Sequence, residues 1–175
     1  DWAAGFSDWW TPGEAGAREG LTTFLDGPLD SYAADRNRPD RDSTSGLSPH
    51  LRFGEISPVQ IWHAAAMAAG TGSTRGLDKF LSEIGWREFA YHLLFHWPDL
   101  HRSSFQPRFE AFPWRTDPGA LRAWQRGLTG YPLVDAAMRQ LNQTGYMHNR
   151  LRMIAASFLT KDLLVDWRLG EGYFA

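Results

Sequence analysis

The chain has 175 residues, a formal net charge of −2 and no Cys. That length suits one domain with a sizeable core, the missing Cys excludes disulfides and thiolate metal sites, and the near-neutral balance argues against an indiscriminate nucleic-acid binder. No apolar run approaches the ~18 residues of a membrane span, and Asp1-Trp2-Ala3 shows no charged leader before an apolar stretch, so a cytoplasmic protein is the default expectation; a monomer is expected as well. A start at Asp1 rather than Met is expected of a piece of a longer chain.

After an aromatic lead of Trp2, Phe6, Trp9 and Trp10, a first helix is predicted from Asp8 to Asp26. Thr11 would cap it and Pro12 take its first position, with Ala17, Leu21, Phe24 and Leu25 inward and Gly27-Pro28 as the stop. Residues 28–46 are turn-rich and charged and read as one loop, ending in the hydroxyl cluster Ser43-Thr44-Ser45-Gly46. Ser48-Pro49 and Ser57-Pro58 then open two helices, the first ending at Gly54 and the second near Ala69. Hydroxyls that lead straight onto a helix start suit a phosphate cradle or ordinary capping, and local pattern does not separate the two.

Thr71 to Gly76 reads as a loop, and Leu77 to Trp97 as a helix closed by Pro98. On it Glu83 and Arg87 are spaced to pair, and Glu83 and Trp86 to share a face. His92 and His96 have ligand-like spacing, but no third ligand is evident, so core or surface histidines are expected and no metal site. Residues 98–120 are rich in Pro and aromatics and read as irregular. Helices follow from Pro118 to Gln125 and from Leu133 to Asn142, with Val134, Ala137, Met138 and Leu141 inward.

No Gly or Pro interrupts Tyr146 to Leu169, which predicts one long helix. Leu151, Ile154, Ala155, Phe158 and Leu159 form its buried stripe. Asn149, Met153, Ala156 and Thr160 give a low flank, with Asn149, Arg150 and Arg152 as donors near its start. Periodicity favours a core helix over a pocket-lining one. No period-2 segment is long enough for a strand, so the expected class is all-α. Residues 102–152 hold eight Arg against three acids, a candidate basic face. Nine Trp predict a core of large rings or a stacking platform, with core packing the expected use of most.

Four runs, Thr44–Pro58 (TSGLSPHLRFGEISP), Trp86–Phe89 (WREF), Trp124–Leu141 (WQRGLTGYPLVDAAMRQL) and Gly145–Arg168, resemble the FAD-binding helical domain of the photolyase/cryptochrome family. The segment Met147–Met153 (MHNRLRM) is most similar to bacterial class I cyclobutane pyrimidine dimer photolyases. The resemblance implies a multi-helical domain over residues 1–175, partial because the family carries an α/β antenna domain before it and a further flavin-contacting segment after it. It implies FAD contacts from Tyr32, Thr44, Ser45, Gly46, Leu47, Ser48, Asn149 and Arg152. The cavity for a flipped dimer would use Glu83, Trp86, Asn149 and Met153. Contacts to UV-damaged DNA would come from Arg36, Glu83, Trp86, Arg87, Asn149 and Arg150. Trp114 and Trp167 match members of the family's electron-transfer chain. The implied activity is light-dependent splitting of pyrimidine dimers by an electron from excited reduced FAD. A blue-light receptor of cryptochrome type, and a helical fragment that does not hold FAD alone, are the other two readings.

Overall fold

The computed structural model describes residues 3–68 and 74–174. Trp2 of the aromatic lead, the expected helix end at Ala69 and residues 71–73 of the predicted loop lie outside them. The described residues form α-helices and short tighter or wider turns without a strand, as expected; the single β-like contact is an isolated bridge between Arg115 and Val165. The chain divides into two compact units, Ser7–His92 and Asp1–Phe6 with Leu93–Ala175, each with its own apolar core.

In Ser7–His92 the helices are α1 (Glu14–Asp26), α2 (Pro28–Asp35), α3 (Ser48–Phe53), α4 (Pro58–Ala68) and most of α5 (Arg75–His96). The first helix starts later than expected and is not capped by Thr11. Gly13, at φ +100°, turns the chain into the helix, and Gly16 passes so close to the Thr11 carbonyl oxygen that a Cβ there would lie 1.9 Å from it. The expected loop over 28–46 is also corrected: Pro28 sits in the first turn of α2, and only the residues after Asp35 are irregular. The polar residues of α2 face outward while Leu29 and Tyr32 point inward, which is why charge density alone misread it.

Both Ser-Pro pairs open helices, but Ser48, expected as a cap, is the first residue of α3 with Leu47 before it and no side-chain cap; Gly54 ends α3 in the left-handed conformation. Before α4 the Ser57 hydroxyl accepts from the Gln60 N–H at 3.2 Å while the Gln60 side chain accepts from the Ser57 N–H at 2.8 Å, a reciprocal cap. Phe24, Tyr32 and Phe80 form the aromatic centre of this core, with ring centroids 4.6 to 5.6 Å apart. Gly76 lets the first turn of α5 meet the Leu29 carbonyl, where a Cβ would stand 2.0 Å away.

In the other unit α6 (Pro118–Arg126), α7 (Pro132–Thr144), α8 (Asn149–Ser157) and α9 (Trp167–Phe174) pack around Trp124, which is fully buried. Asp117 caps α6 through the Ala120 N–H at 2.9 Å. Asp135 reaches back from α7 to accept from the Thr129 N–H, the Thr129 hydroxyl and the Gly130 N–H, which fixes the turn between α6 and α7. Residues 98–117 are irregular as expected, with short 3₁₀ turns at Pro98–His101 and Pro107–Phe109.

The predicted long helix over 146–169 is not one helix. Gly145 ends α7 at φ +71°, His148 caps α8, a π-helical turn spans Phe158–Asp162, and Leu164 stands at φ +56° before α9 begins. The wider turn shifts the register of the later residues, a change that leaves no composition signal because nothing in it needs Gly or Pro. Ile154, expected in the buried stripe, is 38% exposed, while Leu151, Ala155, Phe158 and Leu159 are buried. Of the eight described tryptophans only Trp124 is buried, so the core-packing expectation for most Trp is also corrected; Trp9, Trp62, Trp86 and Trp97 are exposed.

Two glycine substitutions separate helix propensity from packing. Gly85 lies inside α5 with no atom within 4 Å of a Cβ position. Gly85→Ala is expected to raise stability by about 1 kcal/mol. Gly16→Ala gains the same propensity but drives a methyl into backbone, and a net loss of about 1–3 kcal/mol is expected. Urea unfolding followed by circular dichroism measures both; a stabilised Gly16→Ala would contradict the close approach.

Candidate functional site

Within Ser7–His92 the charged centre is built from three side chains. Arg36, just after α2, and Lys79, on α5, both converge on the Oε1 atom of Glu83, and Lys79 Nζ stands 3.0 Å from it. The Arg36 side chain is only 10% exposed, lies over the Tyr32 ring at 5.6 Å, and buries an Nε that has no partner among the described residues. Glu83 therefore does not take the expected i, i+4 partner. Arg87 instead donates to the Leu51 carbonyl, pairs with Glu88 and stacks over Tyr91 at 4.5 Å. Both partners were available by spacing on α5, since Lys79 is four residues before Glu83 and Arg87 four after, and tertiary packing on Leu51 and Arg36 decided between them.

Burial pushes the Glu83 carboxyl upward, but the hydrogen bonds and charges of Arg36 and Lys79 outweigh it and hold the group below its ordinary value. Glu83 is thus an ionised, acceptor-only group. One turn along α5, Trp86 is 61% exposed, and Phe89 packs edge-on against it at 5.8 Å. An exposed indole beside a fixed carboxylate is a surface that stacks a flat ring and accepts from its N–H groups.

The hydroxyl segment lies beside this centre in sequence. Ser43 is buried and donates to the Asp35 carbonyl, the Ser45 hydroxyl faces the Leu47 N–H at 3.5 Å, and Leu47 is buried in the core. Gly46 takes φ +63°, and a Cβ on it would meet no atom within 4 Å. Tyr32 is buried among Phe24 and Phe80. The donor set of Thr44, Ser45 and Ser48 beside an unobstructed glycine fits the phosphate part of a cofactor such as FAD.

The other unit holds the remaining expected residues. Trp114 and Trp167 line one apolar cavity of about 740 Å³, together with Phe105, Phe109, Phe112 and Leu164. Trp114 packs on Phe112 at 4.4 Å, and its indole N–H has no partner among the described residues. The bend at Leu164, tied by the Arg115 N–H to Leu164 carbonyl bond of 2.8 Å, sets this cavity. Arg150 and Met153 line a second cavity of about 510 Å³ with Tyr131, Ile154, Phe158 and Asp162. Asn149, the first residue of α8, is exposed and outside that lining. Arg152 lies over the Phe174 ring at 4.9 Å, and burial lowers its pKa. Among the described residues no group of His and acids has metal-ligand geometry, and no helix is long and apolar enough to cross a membrane. His92 stacks on Phe89 at 6.5 Å.

The family described as the FAD binding domain of DNA photolyase matches residues 80–175. The chain belongs to this family. It is 54% identical over 174 residues to a deoxyribodipyrimidine photo-lyase of Agrobacterium fabrum, covering 99% of this chain and 36% of that protein. It is 40% identical over 172 residues to cryptochrome-1 of Arabidopsis thaliana, covering 94% of this chain and 25% of that one. Among solved structures, a bacterial class III photolyase from Agrobacterium tumefaciens superposes with a TM-score of 0.96 at 54% identity, over 99% of this chain and 36% of that one. That photolyase is described as class III, a different class from the class I resemblance drawn from Met147–Met153. The chain spans about a third of the length of the photolyase relatives it matches.

Lys79 was missed in the sequence, where its i, i+4 relation to Glu83 was the available signal. Because the folded-state carboxyl of Glu83 is lowered, the unfolded chain takes up its proton first as pH falls. The ion cluster's contribution is therefore complete above the ordinary carboxylate value and is lost as pH falls through the lowered one. The stability gap between the wild type and Glu83→Gln is expected to be widest at neutral pH and to close as acid protonates the carboxyl in the folded chain. Urea unfolding at a series of pH values measures it, and a gap that stays constant with pH would contradict an ionised Glu83.

Proposed function

We propose that residues 1–175 are part of the FAD-binding helical domain of a light-dependent DNA-repair enzyme, a deoxyribodipyrimidine photo-lyase, acting on cyclobutane pyrimidine dimers as a cytoplasmic monomer. The observation that carries this reading is the ionised Glu83 held one turn from the exposed ring of Trp86, in a chain 54% identical to a photo-lyase along 99% of its length.

When bound, reduced and light-excited FAD supplies one electron and takes it back, so that the cyclobutane ring opens with no net oxidation. The residues of this chain do the rest. Trp86 offers a stacking face for a dimer that has left the duplex, and a lesion that stacks poorly costs less to extrude. Glu83 accepts from the base N–H groups. Thr44, Ser45, Gly46, Leu47 and Ser48, with Tyr32, Asn149 and Arg152, are the proposed cofactor contacts. Asn149 and Met153 complete the proposed lesion contacts. Arg36, Arg87 and Arg150 are the proposed DNA contacts, of which Arg36 acts through Glu83 and Arg150, leaning on Met153 at 3.5 Å, remains exposed to phosphate. Trp114 and Trp167, which share one cavity, are the proposed relay for photoreduction.

The test is an absorption spectrum after mixing with FAD and desalting, followed by blue-light repair of a thymine-dimer oligonucleotide. A structured flavin band and light-dependent loss of dimers are expected. A flavin band without repair would favour the light-receptor reading that the cryptochrome-1 relative represents, and a colourless protein would favour the fragment reading. Trp114→Phe is expected to slow flavin photoreduction while leaving dimer binding unchanged, measured by bleaching of the flavin band and by gel shift. Equal bleaching rates would remove Trp114 from the relay.

A further inference from the structure

Two cations meet the same oxygen of Glu83. Arg36 reaches Oε1 from the residue after α2, and Lys79 reaches it from one turn earlier on α5. Oε2 has no hydrogen-bond partner among the described residues. A carboxylate held by one contact still rotates about its last bond. Two donors on one oxygen use its lone pairs and leave the other oxygen as the open acceptor. Arg36 is nearly buried, so its half of the clamp is part of the fold, whereas Lys79 is 42% exposed and acts from the rim.

We propose that Lys79 is a positioning residue for Glu83: with Arg36 it clamps Oε1, so that Oε2 stands beside Trp86 as a fixed acceptor for the imide N–H of a flipped pyrimidine. This rests on the repair reading above and adds to it a source of specificity. An ionised acceptor rewards a base carrying N3–H and rejects one whose N3 is blocked, because the blocked base leaves Oε2 desolvated and unpaired. Lys79 touches neither base nor cofactor in this role; it acts by deciding which way Glu83 faces.

The experiment measures binding of two oligonucleotides, one with a thymine dimer and one with the same dimer methylated at N3, to the chain with FAD in the dark. The wild type is expected to prefer the unmethylated dimer by about tenfold or more. In Lys79→Met that preference is expected to shrink to about two- to threefold, and in Lys79→Arg to return. The Glu83 carboxyl titration, read by ¹³C NMR on Glu-labelled protein, is expected to move upward in Lys79→Met with the rest of the spectrum unchanged. If Lys79→Met weakens both oligonucleotides equally and keeps the preference, Lys79 is a phosphate contact and the proposal is overturned while the repair reading stands. An unmoved Glu83 titration overturns it as well. If the wild type does not distinguish dimer from undamaged DNA, the repair reading falls and takes the proposal with it.

Discussion

A buried indole must find an acceptor for its N–H, and Trp124 finds the Ala155 carbonyl at 2.9 Å. That bond joins α6 to α8 through the centre of the Leu93–Ala175 unit. Tyr173 and Phe174 from α9 pack on the same ring at 5.7 and 5.3 Å. Three helices are thereby registered on one side chain. Asp135 complements it by fixing the turn from which α7 packs against α6.

The path from α8 to α9 follows from this anchoring. With Ala155 held by Trp124, the following residues widen into a π turn, and the Thr160 hydroxyl donates back to the Ala156 carbonyl at 2.9 Å. Leu164 then adopts a left-handed backbone that a branched side chain rarely takes. The bridge between Arg115 and Val165 holds it there. One consequence is that the strained bend, rather than a continuous helix, lets Trp167 face the same cavity as Trp114. Gly170 serves the closure, since a Cβ there would come within 2.4 Å of Leu159.

In Ser7–His92 the corresponding organiser is charge. Sixteen of the eighteen basic residues are Arg, yet one of the two lysines completes the Glu83 cluster. Arg36 is committed to that cluster by burial, and Arg87 is drawn to the Leu51 carbonyl and the Tyr91 ring. A carboxylate so held stays ionised beside the exposed Trp86, which is the combination that a base-stacking, base-reading surface needs.

The sequence by itself determined the helical class, most helix starts and stops, and the family, because these rest on local chemistry: Pro at first turns, left-handed glycines at Gly54, Gly127 and Gly145, and apolar spacing along α4 to α7. The family resemblance also singled out Glu83, Trp86, Trp114 and Trp167 as expected site residues. The helix α2, the break between α8 and α9, the incomplete burial of every described tryptophan but Trp124 and the partner of Glu83 were decided only in three dimensions. Such features depend on which residues distant in sequence come to share one small space: Leu29 at Gly76, Trp124 at Ala155, Arg36 at Glu83. Periodicity reports which side of a helix is apolar, but only packing determines which neighbour that side meets, and a charged residue with two suitable partners takes the one the backbone brings near.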